Sequence, residues 1–174
     1  MSEAVHKHKA SAPDTVRVAI LTISDTRTRD TDTGGDIAEE LLREAGQEVV
    51  DRRIVRDQVT GIRNNLVDLL ARPDVDAVIT AGGTGISARD TTYEVVDRMI
   101  EKKLEGFGEI FRMLSYEEIG SAAIMSRAVA GAVGTKFIAS LPGSRNAVRL
   151  AVEKLLVPEL AHIVFELRKH QESR

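Results

Sequence analysis

The chain contains no cysteine, which excludes a disulfide framework, a thiolate metal site and a thiol nucleophile. Tryptophan is absent too, and aromatic residues make up 3% of the chain, too few for a base-stacking platform. Acidic and basic residues are interspersed and the formal net charge is −3. A nucleic-acid binder would instead gather its cations on one face, so no nucleic-acid partner is expected. Long apolar runs are also missing: residues 18–23 fall far short of the ~20 residues of a membrane span. The opening MSEAVHKHKASAPD has no apolar h-region, and with the lack of cysteine this makes a reducing cytoplasm the expected location. Histidines number four, and His6, His8, His162 and His170 are too scattered for a metal site. HKHK at residues 6–9 reads as a solvated tail ahead of the fold.

What is present suits a single α/β domain. The 174 residues, 43% apolar and 29% charged, can bury a core without staples. The pattern divides into a flexible tail at 1–14, one domain over 15–170 and a short tail at 171–174. Residues 16–24 form a nearly continuous β-branched run, as in a parallel strand covered on both faces. Ile37, Leu41, Leu42 and Ala45 then recur at helical spacing, with Gly46 as a stop. Residues 49–55 read as a second strand. Ile62, Leu66, Leu69 and Leu70 mark a second helix ending before Pro73. Residues 76–81 form a third strand. Thr91 and Glu94 have the spacing of a capping box ahead of a helix carrying Val95, Val96 and Met99. Residues 106–124 read as helical with glycine breaks. Strand-like runs follow at 128–133 and 136–141, then a helix over 145–157. Pro158 is expected to open a further helix. Strands alternating with helices give a three-layer α/β/α arrangement with a mostly parallel sheet.

Such sheets bind ligands beyond the carboxyl ends of their strands. Four loops should meet there: Ser24-Asp25 with its polar extension, the Arg56-Asp57 turn, residues 82–90, and residues 142–146. In the third strand's exit, Gly82, Gly83, Thr84 and Gly85, backbone N–H groups can approach an anion and turn inward at positive φ. Thr84 and Ser87 offer hydroxyls, and Arg89 a fixed cation for phosphate oxygens. Gly143 and Ser144, at the start of a helix, offer a second anion contact. Asp90 and Asp57 are the odd feature. A simple phosphate cradle avoids carboxylates, but Mg²⁺ held by one or two carboxylates plus substrate phosphates accommodates them. Both aspartates also admit a plain role at a helix start, and the glycines a plain role in a tight turn. G-x-x-x-x-G-K-[ST] is absent and GGTGIS does not fit G-x-G-x-x-G, which disfavours P-loop and NAD-type binding. Ser24 is a conceivable nucleophile, but no histidine falls on these loops to activate it.

VITAGGTGISARD at 78–90 resembles the corresponding stretch of the MoaB/MogA family of molybdenum cofactor biosynthesis proteins. TISD at 22–25, VRD at 55–57, GFGEIFRMLSYEEIGSAAIMSRAVAG at 106–131 and LPGS at 141–144 follow in the family's order, so the likeness covers residues 16–168. The long 106–131 segment is closer to MoaB than to MogA. The resemblance implies an α/β/α sandwich whose mixed sheet carries an antiparallel edge strand. It also implies a nucleotidyltransferase that adenylylates molybdopterin from ATP with Mg²⁺, and assembly as a homotrimer or homohexamer. Asp57 and Asp90 correspond to the family's two important aspartates, with Mg²⁺ assigned to Asp90 and Asp57. Ser24, Asp25, Gly82, Gly83, Thr84, Gly85, Arg89, Gly143 and Ser144 would contact substrate or phosphate. The alternative is a non-catalytic molybdopterin-binding protein of the same pathway.

Overall fold

The computed structural model describes residues 13–169; HKHK and His170 lie outside them. Six strands form one sheet: β1 Arg17–Ile23, β2 Glu48–Val55, β3 Ala77–Ala81, β4 Lys102–Lys103, β5 Val129–Val133 and β6 Lys136–Leu141, in the order β2-β1-β3-β6-β5-β4. β2, β1, β3 and β6 run parallel, and β5 runs antiparallel between β6 and β4. The antiparallel strand is therefore not at the edge as expected. A two-residue strand, Lys102–Lys103, covers its outer side, too short to register as a periodic pattern.

Side-chain alternation along the strands builds two cores. Val18, Ile20, Ile79, Ala139 and Leu141 pack under helices α1 Thr33–Glu44, α4 Glu105–Ile119, α5 Arg145–Ala151 and α6 Val157–Arg168. Ala19, Leu21, Ile23, Val78 and Ile138 face α2 Val59–Ala71 and α3 Thr92–Met99. The three-layer α/β/α architecture follows directly, because β1 and β3 are buried on both faces. No helix among the described residues is long and apolar enough to cross a membrane.

Three local expectations change. Gly106 and Gly108 do not break α4, which runs unbroken to Gly120, where φ is 60°. Pro158 stands in the first turn of α6 as expected, but that helix is no fresh start: α5 passes through a π turn, Val152–Leu156, directly into it. Proline lacks an N–H and crowds the carbonyl four residues back, and the widened turn just ahead of it absorbs that conflict. Thr91 and Glu94 form no capping box. Thr91 makes no side-chain cap bond, its hydroxyl donating instead to Asp57 Oδ1 at 2.8 Å, while Glu94 is held by Arg127.

At the sheet end opposite the glycine loop, Asp76 ties three elements together. Its carboxylate accepts from the Arg17 backbone N–H at 2.8 Å, from the Arg17 guanidinium at 2.8 Å, and from Arg168 of α6 at 2.5 Å. Burial pushes this carboxyl up, but the Arg17 and Arg168 hydrogen bonds outweigh burial and hold it down to about 2. The folded value lies below the ordinary 3.8. The stabilisation is therefore complete above that value and is lost as pH falls through about 2, amounting to about 2 kcal/mol. Asp76→Asn should lower unfolding stability by roughly 2–3 kcal/mol at neutral pH. Denaturant titrations between pH 7 and 2 should show the gap to the parent chain closing as acid is added; a gap independent of pH would refute this role.

Candidate functional site

β1, β3 and β6 end side by side, Thr22 beside Ala81 and Ala81 beside Leu141, so their exits share one edge of the sheet. There a cleft of about 450 Å³ opens, lined by residue 23 at the end of β1 and residues 24, 26 and 27 after it, residues 82–85 and 90 after β3, and residues 142 and 143 after β6. Met125 and Ser126, which follow α4, close the remaining wall. The Arg56-Asp57 turn contributes no lining residue, and Met125-Ser126 takes its place.

The glycines are there because other atoms occupy the space a side chain would need. Gly82 has φ 107°, and a Cβ there would run into the Ile23 carbonyl oxygen. Gly83 has φ 63°, and its Cβ would lie 2.5 Å from Asp57 Oδ2. A Cβ on Gly85 would lie 2.6 Å from Asp90 Oδ2, and one on Gly143 would lie 2.9 Å from the Gly82 Cα. Gly82 N–H donates to Leu141 O at 3.0 Å, locking the β3 exit to β6. Gly83 O accepts from Thr92 N–H at 2.9 Å, locking the loop to α3. Between those anchors, the N–H groups of Gly83, Thr84 and Gly85 have no acceptor among the described residues. A run of free amide donors along a cleft wall is an anion-binding arrangement.

The two aspartates differ. Asp90 lines the cleft. Its Oδ2 accepts from Ser87 N–H at 3.0 Å and from the Ser87 hydroxyl at 2.6 Å, so it folds its own turn and leaves Oδ1 without a donor among the described residues. Asp57 does not line the cleft. Its Oδ1 accepts from the Thr91 N–H at 3.3 Å and the Thr91 hydroxyl at 2.8 Å, supporting the start of α3, while Oδ2 packs on Gly83. The helix directly after Asp57 receives no side-chain cap. The carboxylate thus serves a helix distant in sequence.

The other expected residues separate similarly. Ser24 lines the cleft, its hydroxyl accepting from the N–H groups of Thr26 and Arg27 at 3.3 and 3.1 Å. Asp25 stands outside the cleft lining and pairs with Arg89 at 2.5 Å. Arg89 is 81% exposed, a rim cation and not a wall residue. Gly143 lines the cleft, whereas the Ser144 hydroxyl caps α5 by accepting from Ala147 N–H at 3.3 Å. The cation in the cleft wall is Arg27, part of the polar extension after Ser24-Asp25. It lies 3.7 Å from Asp32, a fully buried carboxylate. Burial raises the Asp32 carboxyl, but Arg52, Thr22 and the Gly35 N–H outweigh it and hold it ionised below its usual range. Arg27 thus leans on a fixed negative charge and keeps donors for a ligand. No local pattern marks it, since TRT reads like any solvated turn.

Residues 19–162 match the family described as "Probable molybdopterin binding domain". The chain is 51% identical over 166 residues to the molybdenum cofactor biosynthesis protein B of Bacillus cereus, covering 95% of this chain and 98% of that protein. A crystal structure of a molybdenum cofactor biosynthesis protein B superposes with a TM-score of 0.88 at 51% identity, over 91% of this chain and 99% of that one. The tungsten cofactor synthesizing protein MoaB of Pyrococcus furiosus superposes with a TM-score of 0.80 at 35% identity, over 90% and 99%.

Close approach can be separated from backbone strain. Gly83 and Gly134 have nearly equal φ, 63° and 58°, but a Cβ on Gly134 meets nothing within 4 Å. Gly134→Ala should cost the left-handed strain alone, about 1 kcal/mol, and Gly83→Ala at least about 1.5 kcal/mol more. Equal losses in chemical denaturation would show that Asp57 and Thr92 yield freely.

Proposed function

The chain belongs to the molybdenum cofactor biosynthesis family of molybdopterin-binding domains, and on that premise we propose that it adenylylates molybdopterin with ATP as donor. A terminal phosphate oxygen of the pterin forms a bond to the α-phosphorus of ATP. The bond from that phosphorus to the oxygen bridging to the β-phosphate breaks, and pyrophosphate leaves with the electron pair. Both reactants are anionic, so catalysis consists of holding them together against repulsion. The observation that carries this reading is the row of N–H groups at Gly83, Thr84 and Gly85 without acceptors among the described residues, in a cleft lined also by Arg27 and the carboxylate of Asp90.

Each residue has a role in this reading. The glycine-loop amides and Arg27 bind phosphate oxygens, and Gly143 lets the β6 exit come close enough to complete the cradle. Ser24 shapes the loop that presents Arg27. Asp90 fits Mg²⁺, a hard cation that takes carboxylate and phosphate oxygens, because its Oδ1 accepts from no donor among the described residues. Among the described residues no three His, Asp or Glu side chains converge to hold an ion, so the substrate phosphates would complete the shell. Mg²⁺ bound there would offset charge at the reacting phosphates. Asp57 holds the loop and the start of α3 in place. Asp25 with Arg89 guards the rim, and Ser144 steadies α5 beside Gly143.

The same reading places the protein in the cytoplasm as a homotrimer or homohexamer. Supporting assembly, Ile110, Met113, Tyr116 and Ile119 lie exposed along α4. Sedimentation of the purified chain tests that part.

Incubation with molybdopterin, ATP and Mg²⁺ should yield adenylylated pterin and equimolar pyrophosphate. Pterin binding without product would instead support the non-catalytic carrier. Asp90→Asn should reduce turnover at least about 100-fold while shifting the thermal midpoint little; a parallel loss of both would make Asp90 a turn-forming residue only. Arg27→Ala should weaken MgATP binding tenfold or more, about 1.4 kcal/mol. Arg89→Ala, changing only a rim pair, should weaken it less than threefold by calorimetry. The reverse order would move the phosphate cation to the rim.

A further inference from the structure

Arg127 stands just beyond the cleft wall, after Met125-Ser126 and before β5, and is absent from the cleft lining. Its Nε donates to Thr84 O at 2.8 Å and its Nη2 to Gly85 O at 2.6 Å. Nη1 pairs with Glu94 Oε1 of α3 at 2.5 Å, and the guanidinium lies 4.7 Å above the centre of the Tyr93 ring. The side-chain hydrogen bond from Arg127 holds the Glu94 carboxyl below its ordinary range, against the opposing effect of partial burial. One planar group thus takes two successive loop carbonyls, an acid and an aromatic face, a combination that a lysine cannot reproduce.

A trans peptide points the carbonyl of one residue and the N–H of the next to opposite sides, and no peptide bond among the described residues is cis. With its carbonyl drawn to Arg127, the Thr84–Gly85 peptide must turn the Gly85 N–H away from Arg127. The Gly85–Ile86 peptide is oriented in the same way. Glycine permits either orientation of these peptides, so the loop itself does not choose. We propose that Arg127 is a positioning residue that makes this choice, drawing the Thr84 and Gly85 carbonyls out of the cleft so that amide donors, not acceptors, meet the anionic ligand. Its consequence for binding rests on the phosphate reading of the cleft; its hold on the loop does not.

Two variants test it. Arg127→Met keeps an apolar stem against Tyr93 but donates no hydrogen bond. Arg127→Lys keeps a charge for Glu94 but lacks the planar fork that serves both carbonyls, Glu94 and the Tyr93 face at once. Each should bind MgATP at least tenfold more weakly by calorimetry. Glu94→Gln, which leaves the carbonyl bonds in place, should change binding less than threefold. In the ligand-free chain, amide exchange at Ser87, Asp90, Thr91 and Thr92 should quicken at least tenfold in Arg127→Met, with β1 and β3 unchanged. Unaltered exchange at those four positions, an increase spread evenly through the sheet, or unweakened MgATP binding would each overturn the proposal. If the parent chain itself takes up no MgATP, the phosphate reading fails, and the exchange comparison alone decides the role of Arg127.

Discussion

Everything at the cleft depends on how closely the backbones leaving β1, β3 and β6 approach one another. The Gly82 Cα sits beneath the Ile23 carbonyl on one side and against Gly143 on the other. No side chain fits at either contact, so the three exits converge more tightly than strands bearing Cβ atoms could. This convergence turns three loops into one concave surface. It also pins Gly82 N–H to Leu141 O, so that the free amides begin only at Gly83.

Once the backbones are so close, charge governs what surrounds them. Three arginines at the site have three different duties. Arg27 faces the cleft, Arg89 bridges to Asp25 at the rim, and Arg127 holds the loop from behind. The acids are divided in parallel: Asp90 within the cleft, Asp57 behind Gly83, and Asp32 buried beneath Arg27. On the proposed phosphate reading, carboxylates would be self-defeating if all of them met the ligand. Only Asp90 lines the wall, and a divalent cation between it and a phosphate would make it an asset.

The fold was legible in the sequence because its signals are local. Strands buried on both faces read as continuous β-branched runs, and helices as stripes three and four residues apart. What escaped were features whose cause lies elsewhere in the chain. Lys102–Lys103 is a strand only because β5 offers it an edge. The helix at Pro158 continues only because a π turn and a deep apolar face hold it. Thr91 and Glu94 have the spacing of a cap, but Asp57 and Arg127 outcompete that local bond.

The same division runs through the candidate site. From the chain alone came the α/β layering, the glycine loop at a strand end, and the aspartates beside it, since residue type and short-range spacing carry those statements. Which aspartate lines the cleft, which arginine joins it in the wall and which holds the loop were decided by tertiary structure. Asp57 is 34 residues from Thr91, and Arg127 is 43 from Thr84. Hydrogen bonds and ion pairs act over a few ångströms of space whatever the distance along the chain, and only the packed sheet brings such pairs within reach.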